Sequence, residues 1–177
     1  MRRRARVWAF LTSALVAALG IALAYANWPG TPLPPGVWAD RILVNKGARE
    51  LVLLNSSRVL KTYRIALGRN PQGSKVQEGD NRTPEGVYRI DGRNSASSFH
   101  LSLHISYPDE AAKKQAASLG VDSGGEIMIH GLRHGLGWLG ALHRVTDWTQ
   151  GCVAVTNPEI EEIWRAVPDG TPIEIRP

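Results

Sequence analysis

The first 26 residues set the outline for the rest of the chain. Arg2, Arg3, Arg4 and Arg6 precede an uncharged run from Val7 to Ala26, VWAFLTSALVAALGIALAYA. Basic residues followed by apolar ones are the layout of an export signal. A helix that crosses a bilayer needs about 20 apolar residues, the length of this run. Cleaved signals carry a shorter apolar core, about 7–15 residues, yet Ala22-Leu23-Ala24 and Ala24-Tyr25-Ala26 offer small-residue cleavage patterns. Residues 1–26 are therefore expected to form a transmembrane anchor or a signal helix. The positive-inside rule then places the remainder outside the cytoplasm, in the periplasm if an inner-membrane anchor is retained, or secreted after cleavage.

Residues 27–39 open with NWPGTPLPPG, in which four prolines and two glycines fall within ten positions. Such a stretch is expected to be a stiff, extended spacer that ends the helix. Residues 40–177 remain for one folded domain, long enough to bury a core. The chain is 43% hydrophobic and 21% charged, a globular rather than a disordered balance. Of the net charge of +5, the four arginines at the start supply +4, leaving +1 for the rest. No stripe of lysine and arginine interleaved with aromatics is present, so nucleic acid is set aside as a partner.

From Asp40 the pattern is strand-like. Arg41–Lys46, Glu50–Asn55 and Arg58–Leu67 are short apolar or β-branched runs separated by turn residues, a meander. Asn70–Pro84 is polar and marked by glycine and proline, hence a surface loop. Gly86–Asp91, Ser98–Ser106, Glu126–His130 and Thr171–Arg176 read as further strands. Two helices interrupt them. Asp109–Leu119 is rich in helix formers and stops at Gly120. Asn157–Val167 places Ile160, Ile163, Trp164 and Val167 at i, i+3, i+4 and i+7 behind a Thr156-Asn157-Pro158-Glu159 capping box. The expected fold class is mostly β (α+β), a single domain with a few helices.

Chemistry-bearing residues concentrate between Ile127 and Thr156, which holds the single cysteine and three of the five histidines. An exported chain with one cysteine forms no internal disulfide, so Cys152 is an inert buried thiol, an intermolecular bridge or a reactive group. Its turn-like setting after Thr149-Gln150-Gly151 favours the reactive reading. A thiol attacks at neutral pH only beside a base or with a lowered pKa, and the N–H groups of Gly151 and Cys152 are placed to receive an oxyanion. His130 ends an apolar strand before Gly131 and is the preferred base; His134 and His143 are rivals. His100 and His104, in an alternating strand, are structural or cleft residues. His130 and His134 have the i, i+4 spacing of a zinc-protease helix, but residue 131 is glycine rather than glutamate and the glycines at 135, 137 and 140 oppose a regular helix. No metal site is expected.

His130-Gly131, the glycine-rich stretch and Thr149-Gln150-Gly151-Cys152 resemble the signature of the L,D-transpeptidase catalytic domain (YkuD type), which pairs a histidine with a later Ser/Thr-His-Gly-Cys block. Thr83-Pro84-Glu85-Gly86-Val87-Tyr88-Arg89-Ile90 is similar to the TPxGxYxI segment of that family, and Ser106-Tyr107-Pro108 and Gly124–Gly131 also resemble it. The likeness covers residues 40–177. It implies a β-sandwich domain of that type and a Cys152 nucleophile with His130 as proton donor and acceptor. Gly151, Thr149 and Gly131 would support the oxyanion, with Arg133 and Arg144 as substrate-binding residues. The substrate implied is a peptidoglycan stem peptide, cut at the amide between its third and fourth residues through a thioester, in cell-wall biogenesis and cell-shape maintenance, with no metal or organic cofactor. Two features depart from the pattern. Gln150 stands where many members have histidine, and Val153-Ala154-Val155 lacks an arginine often found there. Both resemble a divergent branch whose members act on links between murein and an attached protein. Transfer to an amine acceptor, hydrolysis by the same nucleophile (an endopeptidase or amidase), and a non-catalytic peptidoglycan-binding module all remain open at this point. Trp138 and Trp148 are expected to be core aromatics.

Overall fold

The computed structural model describes residues 2–177, with side chains described for Trp8 and from Phe10 onward. Eight strands follow in chain order. They are β1 (Arg41–Asn45), β2 (Glu50–Asn55), β3 (Arg58–Arg64), β4 (Gly86–Asn94), β5 (Ser102–Ile105), β6 (Met128–His130), β7 (Val153–Ala154) and β8 (Pro172–Arg176). The helices are α1 (Arg2–Ala26), α2 (Glu110–Ser118) and α3 (Asn157–Ala166), with a 3-10 segment at Gly137–Val145.

The strands form one curled sheet in the order β3-β2-β1-β8-β4-β5-β6-β7. β4 makes the curl. Gly86–Arg89 pair antiparallel with β8, whereas Ile90–Asn94 pair with β5 after a register shift between Ile90 and Gly92. One strand thus serves two sheet halves, which face each other as the layers of a sandwich. Alternation in β1 and β8 sends Ile42, Val44, Ile173 and Ile175 inward, and they join Leu51, Leu53, Ile90, Leu103 and Ile129 in a common core.

Helix α3 closes the core: Ile160, Ile163 and Val167 of the predicted stripe are buried, Trp164 is partly buried against them, and Ala166 joins the buried face. Each large aliphatic side chain so buried contributes about 1.5–3 kcal/mol. Its first turn is stabilised as its sequence predicts, with the Thr156 N–H donated to the Glu159 carboxylate at 2.8 Å and proline in the opening turn. Helix α2 starts at Asp109, whose carboxylate accepts the Ala112 N–H at 2.8 Å.

Most predicted elements reappear within a few residues of their expected ends, with β2 unchanged and β4 running on to Asn94. The strand expected over Ser98–Ser106 forms only at Ser102–Ile105, because His100 adopts φ 72 and breaks the extended run. Strand β7 and the 3-10 segment carry no periodic signal in the sequence. The stretch after α1 is not a free spacer: Lys61 donates to the Thr31 carbonyl at 2.7 Å, the Leu33 N–H is donated to Glu162, and the Ala39 N–H to the Ala166 carbonyl at 2.7 Å.

Phe10, Leu15, Val16, Leu19 and Ile21 of α1 are exposed. Among the described residues no helix is long and apolar enough to cross a membrane. The expected basic flank Arg2–Arg6 lies outside the described side chains. The carboxyl end of α1 docks against the 3-10 segment. Asn27 Nδ2 donates to the Trp138 carbonyl at 2.9 Å, and Gly140 comes so close that a Cβ there would lie 2.5 Å from the Ala26 carbonyl oxygen.

Candidate active site

Strands β6 and β7 bring the chemistry-bearing residues together. They pair in parallel, with His130 opposite Ala154, so Cys152 precedes the pair by two residues on the neighbouring strand. Side chains two apart on an extended strand share a face, and His130 and Cys152 line one cleft of about 850 Å³.

The turn that presents Cys152 is clamped from below. Asp147 accepts the Leu67 N–H at 2.9 Å and pairs with Arg49 at 2.8 Å. The Thr149 N–H reaches the Leu67 carbonyl at 3.1 Å, and the Ala154 N–H reaches the Ala66 carbonyl at 2.8 Å. Gly151 has φ 134, and a Cβ there would meet the Arg82 carbonyl oxygen at 2.7 Å. Only glycine fits both the backbone angle and the space.

His130 is 4% exposed. Its Nδ1 lies 2.7 Å from the Gly131 carbonyl oxygen. A carbonyl only accepts, so Nδ1 carries the proton and the neutral ring leaves Nε2 as a lone-pair base. Burial pushes its pKa below the ordinary 6.5, partly opposed by the Gly131 hydrogen bond. The ring sits between Phe99, at 4.5 Å, and Trp148, edge-on at 5.7 Å.

The Cys152 thiol lies 3.5 Å from the Glu126 carbonyl oxygen, within S–H donor reach. Burial pushes its pKa above the ordinary 9.0; the Met128 N–H pulls the other way and does not prevail. Thiol and imidazole are therefore both neutral at pH 7. These protonation states fit proton abstraction during attack rather than a preformed thiolate–imidazolium pair. Glu126, at the cleft rim, holds φ 54, a non-glycine conformation that clusters at functional sites.

The remaining predicted residues divide. Thr149 and Gln150 line the cleft, and Thr149 Oγ1 donates to the Cys152 carbonyl at 2.8 Å. The Gly151 N–H, expected to receive an oxyanion, is instead donated to Thr149 Oγ1 at 3.1 Å. Gly131 has a packing reason for its identity: a Cβ would lie 2.8 Å from Asn157 Oδ1. That same Oδ1 accepts the Leu132 N–H at 2.8 Å, so the first turn of α3 holds the chain after His130. Arg133 is exposed at the cleft rim. Arg144 is not among the cleft-lining residues; its guanidinium pairs with Glu159.

His134 is exposed and outside the cleft lining, whereas His143 lines the cleft and is buried. His100 and His104 face carboxylates, Glu161 at 2.7 Å and Asp91 at 2.5 Å, and neither lines the cleft. Trp138 is 57% exposed rather than core. Trp148 is half-buried and forms a wall against His130. Phe99 and Glu126 were not singled out by sequence reasoning, and Trp148 was expected in the core rather than at the cleft. The one available signal was an aromatic residue four positions before the cysteine.

The family model for the L,D-transpeptidase catalytic domain (YkuD) matches residues 39–175. Among solved structures, the helical cell shape determining protein Pgp2 from Campylobacter jejuni is 20% identical with a TM-score of 0.58, over 89% of this chain and 54% of that one. Bd1075 of Bdellovibrio bacteriovorus is 24% identical with a TM-score of 0.54, over 78% of this chain and 48% of that one. An L,D-transpeptidase from Xylanimonas cellulosilytica is 14% identical with a TM-score of 0.50, over 83% and 65%. These likenesses are of fold, and the chain spans about half to two thirds of the length of these solved chains. No curated protein matches the chain.

Proposed function

The chain belongs to the L,D-transpeptidase catalytic domain family, whose members are generally acyltransferases acting on peptidoglycan, and from that premise we propose that it is a cysteine-dependent L,D-transpeptidase of the cell envelope. Cys152 Sγ attacks the amide carbonyl between the third and fourth residues of a stem peptide while His130 Nε2 takes the thiol proton. The same imidazolium then protonates the leaving amine, the terminal D-amino acid departs, and a thioester remains. An amine acceptor then attacks the thioester and gives a proton to His130, which passes it to the departing Cys152 sulfur as the crosslinked product is released. With the Gly151 N–H already committed to Thr149, the oxyanion role falls to the N–H of Cys152 itself. Arg133, at the rim, is the cation offered to a stem-peptide carboxylate.

The observation that carries this reading is the fixed tautomer of His130. Its Nδ1–H is tied to Gly131, which leaves Nε2 as the lone-pair nitrogen of a ring that lines the same cleft as Cys152. The test is Cys152→Ala, which is expected to fold normally yet form no product from purified muropeptides; full turnover by that variant would overturn the proposal. Product analysis separates the alternatives. A new crosslink, or attachment of a murein-linked protein, supports transfer, whereas free stem peptide or freed protein supports an endopeptidase or amidase with the same nucleophile. A non-catalytic binding module would gain no adduct mass on Cys152 from a carbapenem.

Retention of α1 as a periplasm-facing anchor, and a part in cell-shape maintenance, belong to the same proposal. Membrane fractionation and the morphology of a strain lacking the gene check them.

A further inference from the structure

One buried side chain in the cleft wall has a protonation state fixed by its neighbour. Trp148 Nε1 lies 3.3 Å from Nδ1 of His143. An indole N–H only donates, so Nδ1 accepts and the neutral ring carries its proton on Nε2. That Nε2–H is buried and has no hydrogen-bond partner among the described residues. An orphaned buried donor is a net cost to the fold. A ring whose only task was to fill space would be better replaced by an aliphatic side chain, so the reason for histidine here lies at Nδ1.

We propose that His143 is a positioning residue for His130, acting through Trp148. His130 has one polar tie, from Nδ1 to the Gly131 carbonyl, which fixes its tautomer. The plane of its ring is set by two aromatic walls, Trp148 at 5.7 Å and 68° and Phe99 at 4.5 Å and 45°. Phe99 in turn stacks on Trp148 at 6.1 Å and 28°, so the orientation of the indole governs both walls. An aromatic side chain's second torsion is broad and soft. The hydrogen bond to His143 removes that freedom, and the aim of His130 Nε2 follows. Supporting contacts of this kind hold a reacting group within a fraction of an ångström of its productive place.

This role rests on His130 acting as the base. Asparagine and leucine have similar size and shape, but only asparagine offers an acceptor where Nδ1 stands. In His143→Leu the rate of Cys152 acylation by a carbapenem, followed by mass, is expected to fall about tenfold to a hundredfold, the order of loss for a reacting group misplaced by up to 1 Å. His143→Asn should retain most of the rate, and the indole N–H resonance of Trp148 should keep its hydrogen-bonded shift in Asn and lose it in Leu. Each variant leaves one donor without a partner, the indole N–H in leucine and an amide N–H in asparagine, so the two should melt at similar temperatures. Equal acylation rates in the two variants, or a leucine variant that melts well below the other, would overturn the role. A wild-type chain that gives no adduct removes the functional reading, and this role with it.

Discussion

His130 lies directly opposite Ala154, not Cys152, across the parallel pair β6–β7. The offset of two residues puts both side chains on one face of the pair, where they line the same cleft. It also makes their separation depend on the sheet register, which the 147–152 turn holds in place. The consequences below follow from that turn and from the burial around it.

Gly151→Ala is expected to lower stability by about 1–3 kcal/mol, the cost of holding a non-glycine residue in a disfavoured backbone region. The φ of 134 and the 2.7 Å approach of a Cβ to Arg82 both oppose the methyl group. Thermal unfolding measures the loss, and carbapenem trapping should show slower modification of Cys152 at temperatures where the variant remains folded.

Asp147→Ala removes the acceptor of the Leu67 N–H and the partner of Arg49. Hydrogen bonds to charged groups contribute about 1.5–3 kcal/mol each, so a loss of about that size is expected. Hydrogen exchange should rise at Thr149 and Ala154, whose N–H groups tie the turn to the strand beside it. Unchanged exchange there would show that the turn is held by other contacts.

Acylation should persist below pH 6.5. His130 must be neutral to act as base, and burial holds its pKa under the ordinary value, so the acid limb of the rate profile lies below pH 6.5. The thiol is pushed above 9.0, so simple alkylation of Cys152 should still be rising at pH 9. An acid limb at pH 6.5 or above would show that substrate-free burial does not govern this pair.

Stability should depend on His143 at acid pH. Unfolded, its ring titrates near 6.5; folded, burial first and then the Arg144 charge bring it down to about 3. Between those values the unfolded chain binds the additional proton. The contribution of the neutral ring is therefore complete above pH 6.5 and is lost progressively as pH falls toward 3. Melting temperatures from pH 7 to 4 should fall less steeply in His143→Leu than in the wild type.

Removal of residues 1–27 should loosen the cleft wall. Asn27 and Ala26 pack on Trp138 and Gly140, in the segment that carries Leu139, Leu142 and His143 into the cleft. Amide exchange across Gly137–Val145 should accelerate in the shortened chain while β1, β2 and β8 keep their protection. Identical exchange in both forms would show that the wall stands without α1.

Most strands and both domain helices were legible because period 2 and period 3.6 patterns report directly on which side chains must leave water. Glu50–Asn55 appears in the structure with the ends its sequence suggests. Strand β7 was not legible, since two residues carry no periodicity, and neither was the Gly137–Val145 segment, whose glycines satisfy no single pattern. Trp138 was misplaced and the partner of Arg144 was not foreseen for one reason: sequence shows that a charge or an aromatic ring is near the cysteine in the chain, not which neighbour it meets.

The sequence by itself determined the mostly β class, the family likeness and the pairing of one cysteine with a small set of histidines, because these depend on local pattern and residue type. Tertiary structure decided the rest. It put His130 and His143 at the cleft and left His134 in solvent, tied the Gly151 N–H to Thr149, and sent Arg144 to Glu159. Each of those outcomes turns on burial and on contacts between residues distant in the chain, which raise or lower a pKa and occupy or free a hydrogen bond in ways that spacing alone does not record.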